Sequence, residues 1–338
     1  MTVSGGGNVT TRFLSFALLL LLFSTFPFSA VAQSASTERA QVRRIGVLGY
    51  AVDPALIGAF RAELRKFGWI EGGNVVFEYR YSEATVEALP ARAAKLIGSK
   101  VDVIVASGTP SVLAAKDVTR TVPIVMVGIG SDPTRTGLVQ SLARPGGNVT
   151  GVAALGAELW GKRLQLFKEV LPRLSRATLL LNRTNPNNIL AEQEINIAAP
   201  KAGLAVQAVA ASDPAGLENA FTQIASGSPD ALICVWDAFL QAHAREIAEF
   251  AIGRRLPMVA ALREFVQDGA LMSYGAKLSE QWRRAAFYVD RILKGTSPAD
   301  LPVEQPMAFE LVINRKTAKA LGIQIPPVTL LQADQIID

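Results

Sequence analysis

From residue 43 the chain repeats one unit in two successive series: a short apolar strand, a turn bearing polar residues or glycine, then an amphipathic helix. "RRIGVLGY" (43–50), "NVVFEYRYS" (74–82), "VDVIVASG" (101–108) and "VPIVMVGIG" (122–130) form the first series. "ATLLLNRTN" (177–185), "LAVQAVAAS" (204–212), "DALICVWDA" (230–238) and "LPMVAALREF" (256–265) form the second. Strands apolar on both faces need cover on both, and intervening helices supply that cover while forcing parallel pairing. Leu56, Phe60, Leu64 and Phe67 predict one such helix near 54–68, and Pro90 is placed to open another that buries Ala93, Leu96 and Ile97. The fold class is therefore α/β, with two similar doubly wound parallel-sheet lobes of four strands each, joined by a multi-strand hinge. The first lobe is expected over 43–150 with part of about 276–315, and the second over 151–275 with the C-terminal segment to about 335. "RPGGNVTG" (144–151) reads as the first passage between lobes and "DGALMSYG" (268–275) as a return.

At 338 residues, half of them hydrophobic and 19% charged, the chain has enough apolar surface for two ordinary cores. A net charge of +5 without a run of five like charges argues against a nucleic-acid partner. The N-terminus is a separate object. "FLSFALLLLLFSTFPFS" is an apolar run, and Ala30 and Ala32 of "AVA" stand at the −3 and −1 positions before Gln33. Residues 1–32 thus read as a secretory signal peptide cleaved after Ala32, which places the mature chain in the periplasm. The competing reading is an uncleaved anchor, since residues 13–32 are long enough to span a bilayer.

Cys234 is the single cysteine and lies inside an apolar strand; His243 is the single histidine and lies on a helix. One of each makes no metal ligand set, and a thiol in mid-strand is placed as a small core residue, so neither a metal nor a nucleophilic dyad is expected. No cofactor is expected either, because "GIGSDP" has Pro133 where a dinucleotide fingerprint needs its third glycine.

In open parallel sheets ligands bind beyond the carboxyl ends of the strands, where strand order reverses. That rule gathers Tyr50, the "SGTPS" run 107–111, the "GIGSD" run 128–132, and in the second lobe Asn182, Asn185, Asp237 and Glu264 around one cleft. Ser107, Gly108 and Thr109 precede a helix, whose outward backbone N–H groups suit a carboxylate. Asp237 ends a core strand abruptly; it either caps the next helix or meets a ligand. Glu264 has the same two roles open to it, pairing with Arg263 or facing the ligand. Asp132 precedes Pro133 as a helix opener would. Tyr50, Tyr274, Trp236 and Phe239 are placed to stack on an aromatic ligand or to fill the core.

"SGTPS", "SDPTRTGLV" and "LARPGGNVTG" carry a resemblance, extending over about residues 43–335, to the ABC-transporter substrate-binding proteins of the type I periplasmic-binding fold, in the group that includes tryptophan- and tyrosine-uptake proteins. The resemblance implies a monomeric receptor that closes on an amino acid or similar small solute and hands it to an ABC permease in the inner membrane. It further implies that Ser107 and Thr109 hold a carboxylate through hydroxyl and backbone N–H groups, with Asp237 and Glu264 facing the amine; Tyr50, Gly108, Gly128, Asp132, Asn182 and Tyr274 complete the set of candidate ligand-binding residues. Where that group often has "DN", this chain has "DAF" at 237–239. Two other classes remain at this point: an exported α/β hydrolase, for which no G-x-S-x-G elbow is present, and a ligand-sensing receptor not coupled to transport.

Overall fold

β1 (Arg43–Gly49), β2 (Val75–Tyr81), β3 (Val103–Ser107), β4 (Ile124–Ile129) and β5 (Val149–Ala153) form one five-stranded, all-parallel sheet in the order β2-β1-β3-β4-β5. β6 (Arg176–Leu181), β7 (Ala205–Ala210), β8 (Ala231–Cys234), β9 (Met258–Ala260), β10 (Met272–Ala276), β11 (Phe309–Asn314) and β12 (Gln335–Ile337) form a second, in the order β12-β11-β10-β9-β8-β6-β7. Only the β10–β11 pair in it is antiparallel. This computed structural model describes residues 42–50, 53–82, 86–130, 132–153, 156–305 and 308–338. The expected signal peptide lies outside the described residues. No described helix is long and apolar enough to cross a membrane.

All eight strands expected from the sequence are present, but the sheets hold five and seven strands, not four and four. Of the four additional strands, β5 and β12 lie at sheet margins, β10 lies within the run read as a return between lobes, and β11 pairs antiparallel to it. The glycine-rich run 144–151 ends inside β5, and "DGALMSYG" contains β10.

Both faces of the first sheet are buried. Val47, Val103, Val105 and Val127 face a core closed by Phe60 and by helix Leu278–Leu293. That helix follows β10 of the second sheet yet packs on the first, because Trp282, Ala285, Ala286, Val289 and Leu293 recur at helical spacing along one face. Trp282 meets the Phe60 ring edge-on at 5.8 Å, an arrangement that adds to area burial. The chain then makes a short parallel bridge, Val152 to Glu304, beside β5 before returning to the second sheet as β11.

The strand orders fix where a site can form. In the first sheet β1 lies between β2 and β3, and in the second β6 lies between β7 and β8. Connections leaving the carboxyl ends at these points run to opposite sides and leave a crevice. Tyr50 and Ser107 stand at one such point, Asn182 and Asp237 at the other.

Candidate functional site

Trp236 is the residue that joins the two rims. It leaves the carboxyl end of β8, and its Nε1 donates to Gln241 Oε1 at 2.8 Å, which fixes the indole plane. A Cβ on Gly108, Gly128 or Gly130 of the first lobe would meet this ring at 3.3, 3.8 and 3.6 Å, so the indole lies against three glycines. At Gly108 and Gly128 the backbone is also left-handed, with φ of 81° and 64°, which excludes most other residues. Beside this contact, Asn187 Nδ2 donates to Thr109 Oγ1 across the lobes at 2.6 Å, with both residues buried.

Between the rims lies a cavity of about 270 Å³. Tyr50, Asp53, Leu56, Ser107 and Gly128 form its first-lobe wall, Leu278 and Trp282 its floor, and Trp236, Ala238 and Gln241 its second-lobe wall. Ser107 and the chain beside Asp237 thus face one space. Larger hollows lie elsewhere, on the second-lobe surface along Glu158, Lys168 and Lys201 and beside Leu171, Arg173 and Gly322, and on the first-lobe surface between Tyr79, Tyr81 and Arg92. None of these is walled by both lobes.

Asp237 is buried, and four donors reach it: Asn182 Nδ2 at 3.2 Å, Asn185 Nδ2 at 2.9 Å, and the backbone N–H groups of Phe239 and Leu240 at 2.9 and 3.2 Å. It caps helix Ala238–Ala242 and ties the loop after β6 to the loop after β8. Burial raises its pKa, against the lowering effect of these donors. The asparagines continue the network: Asn185 caps helix Pro186–Lys201 through Asn187 N, while Asn188 accepts from Asn182 N at 2.8 Å and donates to Trp236 O at 2.9 Å. Trp236 is therefore held from both ends, by its backbone and by its indole. Tyr50 is buried close by; burial first, then the Asp237 charge, raises its hydroxyl pKa.

The other expected residues fall in different places. Glu264 lies in the first turn of helix Arg263–Gln267, and its Oε2 is buried without a partner among the described residues. Burial pushes its pKa up to about 7, opposed by its own backbone N–H and by Arg263, with Glu310 and Asp53 adding to the rise. Asp132 lies apart from the cavity lining, because its Oδ1 accepts from Thr134 N and Oγ1, both at 2.8 Å, to close a turn. Tyr274 also lies apart: on β10 it stacks on Phe309, and its carbonyl accepts from Arg163 Nε at 2.6 Å. Sequence reasoning missed Asp53, Asn187, Gln241 and the first turn of Leu278–Leu293. The polar "TNPNN" run at 184–188, following a switch-point strand, was a usable signal for Asn187. Nothing local marks the last of these.

The Glu264 carboxyl has a pH consequence. Its ordinary pKa is 4.5, so between pH 4.5 and about 7 the unfolded chain has released a proton that the native chain keeps. Stability is full below pH 4.5 and falls as pH rises to about 7. Glu264→Gln should abolish that fall and be more stable than the parent by on the order of 2 kcal/mol at pH 8, read by urea unfolding across pH. Parallel pH curves for the two proteins would refute it.

Residues 49–337 match the family model described as ABC transporter substrate binding protein, and the chain belongs to that family. The Tyrosine-binding protein of Clostridioides difficile (strain R20291) is 27% identical over 300 residues, 88% of this chain and 86% of its own. Among solved structures, a conserved domain protein from Vibrio cholerae is 28% identical with a TM-score of 0.82, covering 88% of this chain and 100% of that one. The ABC domain in complex with L-Trp from Streptococcus pneumonia is 26% identical with a TM-score of 0.81, covering 87% and 99%. The chain is thus a solute-binding protein of ABC transport, and its two parallel-sheet lobes are those of the periplasmic-binding fold.

Proposed function

We propose that this chain is an exported receptor that takes an amino acid with an aromatic side chain between its lobes and delivers it to an ABC permease of the inner membrane, acting as a monomer. The observation that carries the reading is the two-lobed cavity of about 270 Å³ whose walls include Trp236 and Trp282. Two relatives support it, one a tyrosine-binding protein and one with L-Trp bound.

The chemistry divides by lobe. A zwitterion leaves water only if both charges are matched. The Ser107 hydroxyl and the start of helix Thr109–Val118, which has no side-chain cap, offer the carboxylate hydrogen-bond donors and the positive end of a helix dipole. The ammonium group meets the negative field of Asp53, which lines the cavity, and of Asp237 behind Tyr50. Asp237 and Asn182 act as positioning residues, since their side-chain atoms are engaged within the second lobe and set the place of Trp236. Tyr50 and Gly128 line the space itself. A ligand touching both rims favours the closed arrangement by its differential affinity, and the permease reads that arrangement.

Nothing favours the hydrolase. Cys234 is fully buried and burial raises its thiol pKa, the reverse of an activated nucleophile, while His243 Nδ1 sits 3.0 Å from the Phe239 carbonyl. Calorimetric titration with L-tyrosine, L-tryptophan, L-phenylalanine, L-leucine and L-lysine tests the proposal. Micromolar or tighter binding of at least one aromatic amino acid, with a smaller scattering radius on binding, is expected; no heat with any of the five would overturn it.

A further inference from the structure

Resting on the cleft reading above, we infer that Gln281 selects the ligand's side chain: its amide Nε2 receives a hydrogen-bond acceptor at the far end of that side chain, which favours a phenol over a plain phenyl ring. Gln281 stands in the first turns of helix Leu278–Leu293 and is 2% exposed. Its Oε1 accepts from the backbone N–H of Gly128 at 3.1 Å. A backbone N–H can only donate, so the amide orientation is fixed and the NH2 end must point the other way. That end is buried and has no partner among the described residues. An unpartnered buried amide donor is costly unless something meets it.

Gln281 lines a second cavity of about 30 Å³, room for one water molecule or one ligand hydroxyl. Its walls include Ile129, Leu159, Ala261 and Leu262. Gly128, Trp236 and Leu278 line both this cavity and the one of about 270 Å³, so the small cavity adjoins the larger across the Trp236 ring.

Apart from the unpartnered Gln281 amide this inner end is almost wholly apolar, and that defines what fits. Arg163 also lines it, fully buried, with Nε on the Tyr274 carbonyl at 2.6 Å and Nη1 on the Gly156 carbonyl. A buried amide NH2 in an apolar surround gives a cationic side chain no counter-charge and an indole N–H no acceptor. A phenyl ring leaves Gln281 unpaired. A phenolic oxygen pairs with it and adds no charge, and a site built to hydrogen-bond a hydroxyl discriminates strongly against the analogue lacking it.

Calorimetric titration of L-tyrosine and L-phenylalanine against the wild type, Gln281→Leu and Gln281→Met tests the assignment, with thermal melts confirming that each variant is folded. The wild type should bind tyrosine at least about tenfold more tightly than phenylalanine. In both variants the ratio should fall to about one through loss of tyrosine affinity, with phenylalanine held within about threefold. A wild type that binds the two equally, or variants that keep the wild-type ratio, would overturn the role of Gln281 while leaving the receptor intact. Failure of every amino acid to bind the wild type would instead remove the cleft reading on which it rests.

Discussion

Trp236→Ala is expected to weaken amino-acid binding about a hundredfold, equivalent to about 2.7 kcal/mol, while leaving the fold cooperative. The indole is the surface by which the second lobe reaches Gly108, Gly128 and Gly130, and it walls both cavities between the lobes. Removing it deletes the ligand's apolar wall and the main ring contact across the cleft at one stroke. Trp236 is only half-buried, so the cost to folding is smaller than for a core tryptophan. Trp236→Phe should recover most of the affinity, because a flat ring against glycine is what the geometry uses. Calorimetry decides: a loss of less than about threefold for Trp236→Ala would show that the ligand lies elsewhere.

Asp237→Ala acts on the fold itself and should lower the unfolding free energy by about 4 kcal/mol. Two asparagine amides and two backbone N–H groups lose their acceptor together, all at buried positions. Each such orphan costs about 1–3 kcal/mol, and part is recovered because the buried carboxylate's own desolvation disappears. Asp237→Asn should cost less. Its oxygen can serve Phe239 N, Leu240 N and Asn182, but its new NH2 faces the Asn185 NH2, whose orientation is set by the bond from Asn187 N to Asn185 Oδ1. Urea denaturation gives the ranking wild type, Asn, Ala. Equal stability of wild type and Ala would mean that the network carries no net energy.

The two-lobed parallel architecture was legible because β1, β3, β4, β6 and β8 are continuous apolar runs, a pattern that only strands covered on both faces require. Strands β11 and β12 were not, since an antiparallel return and a three-residue margin strand leave no period to read. The cleft was legible in outline for the same topological reason, and Tyr50, Ser107 and Gly128 do line it. What single residues do there was harder to see. Asp237 stood out as a charge ending a core strand, yet whether its oxygens face a ligand or an asparagine depends on a loop over fifty residues earlier in the chain. Gln281 lies in the first turns of an amphipathic helix, and only the return of that helix to the first sheet sets it against Gly128.

The most direct test of the account is a crystal structure of the protein grown with L-tyrosine. Density for the amino acid is expected between Trp236 and Ser107, touched by both lobes, with its ring directed toward Gln281. Tyrosine bound to one lobe alone, or in a surface hollow away from Trp236, would contradict it.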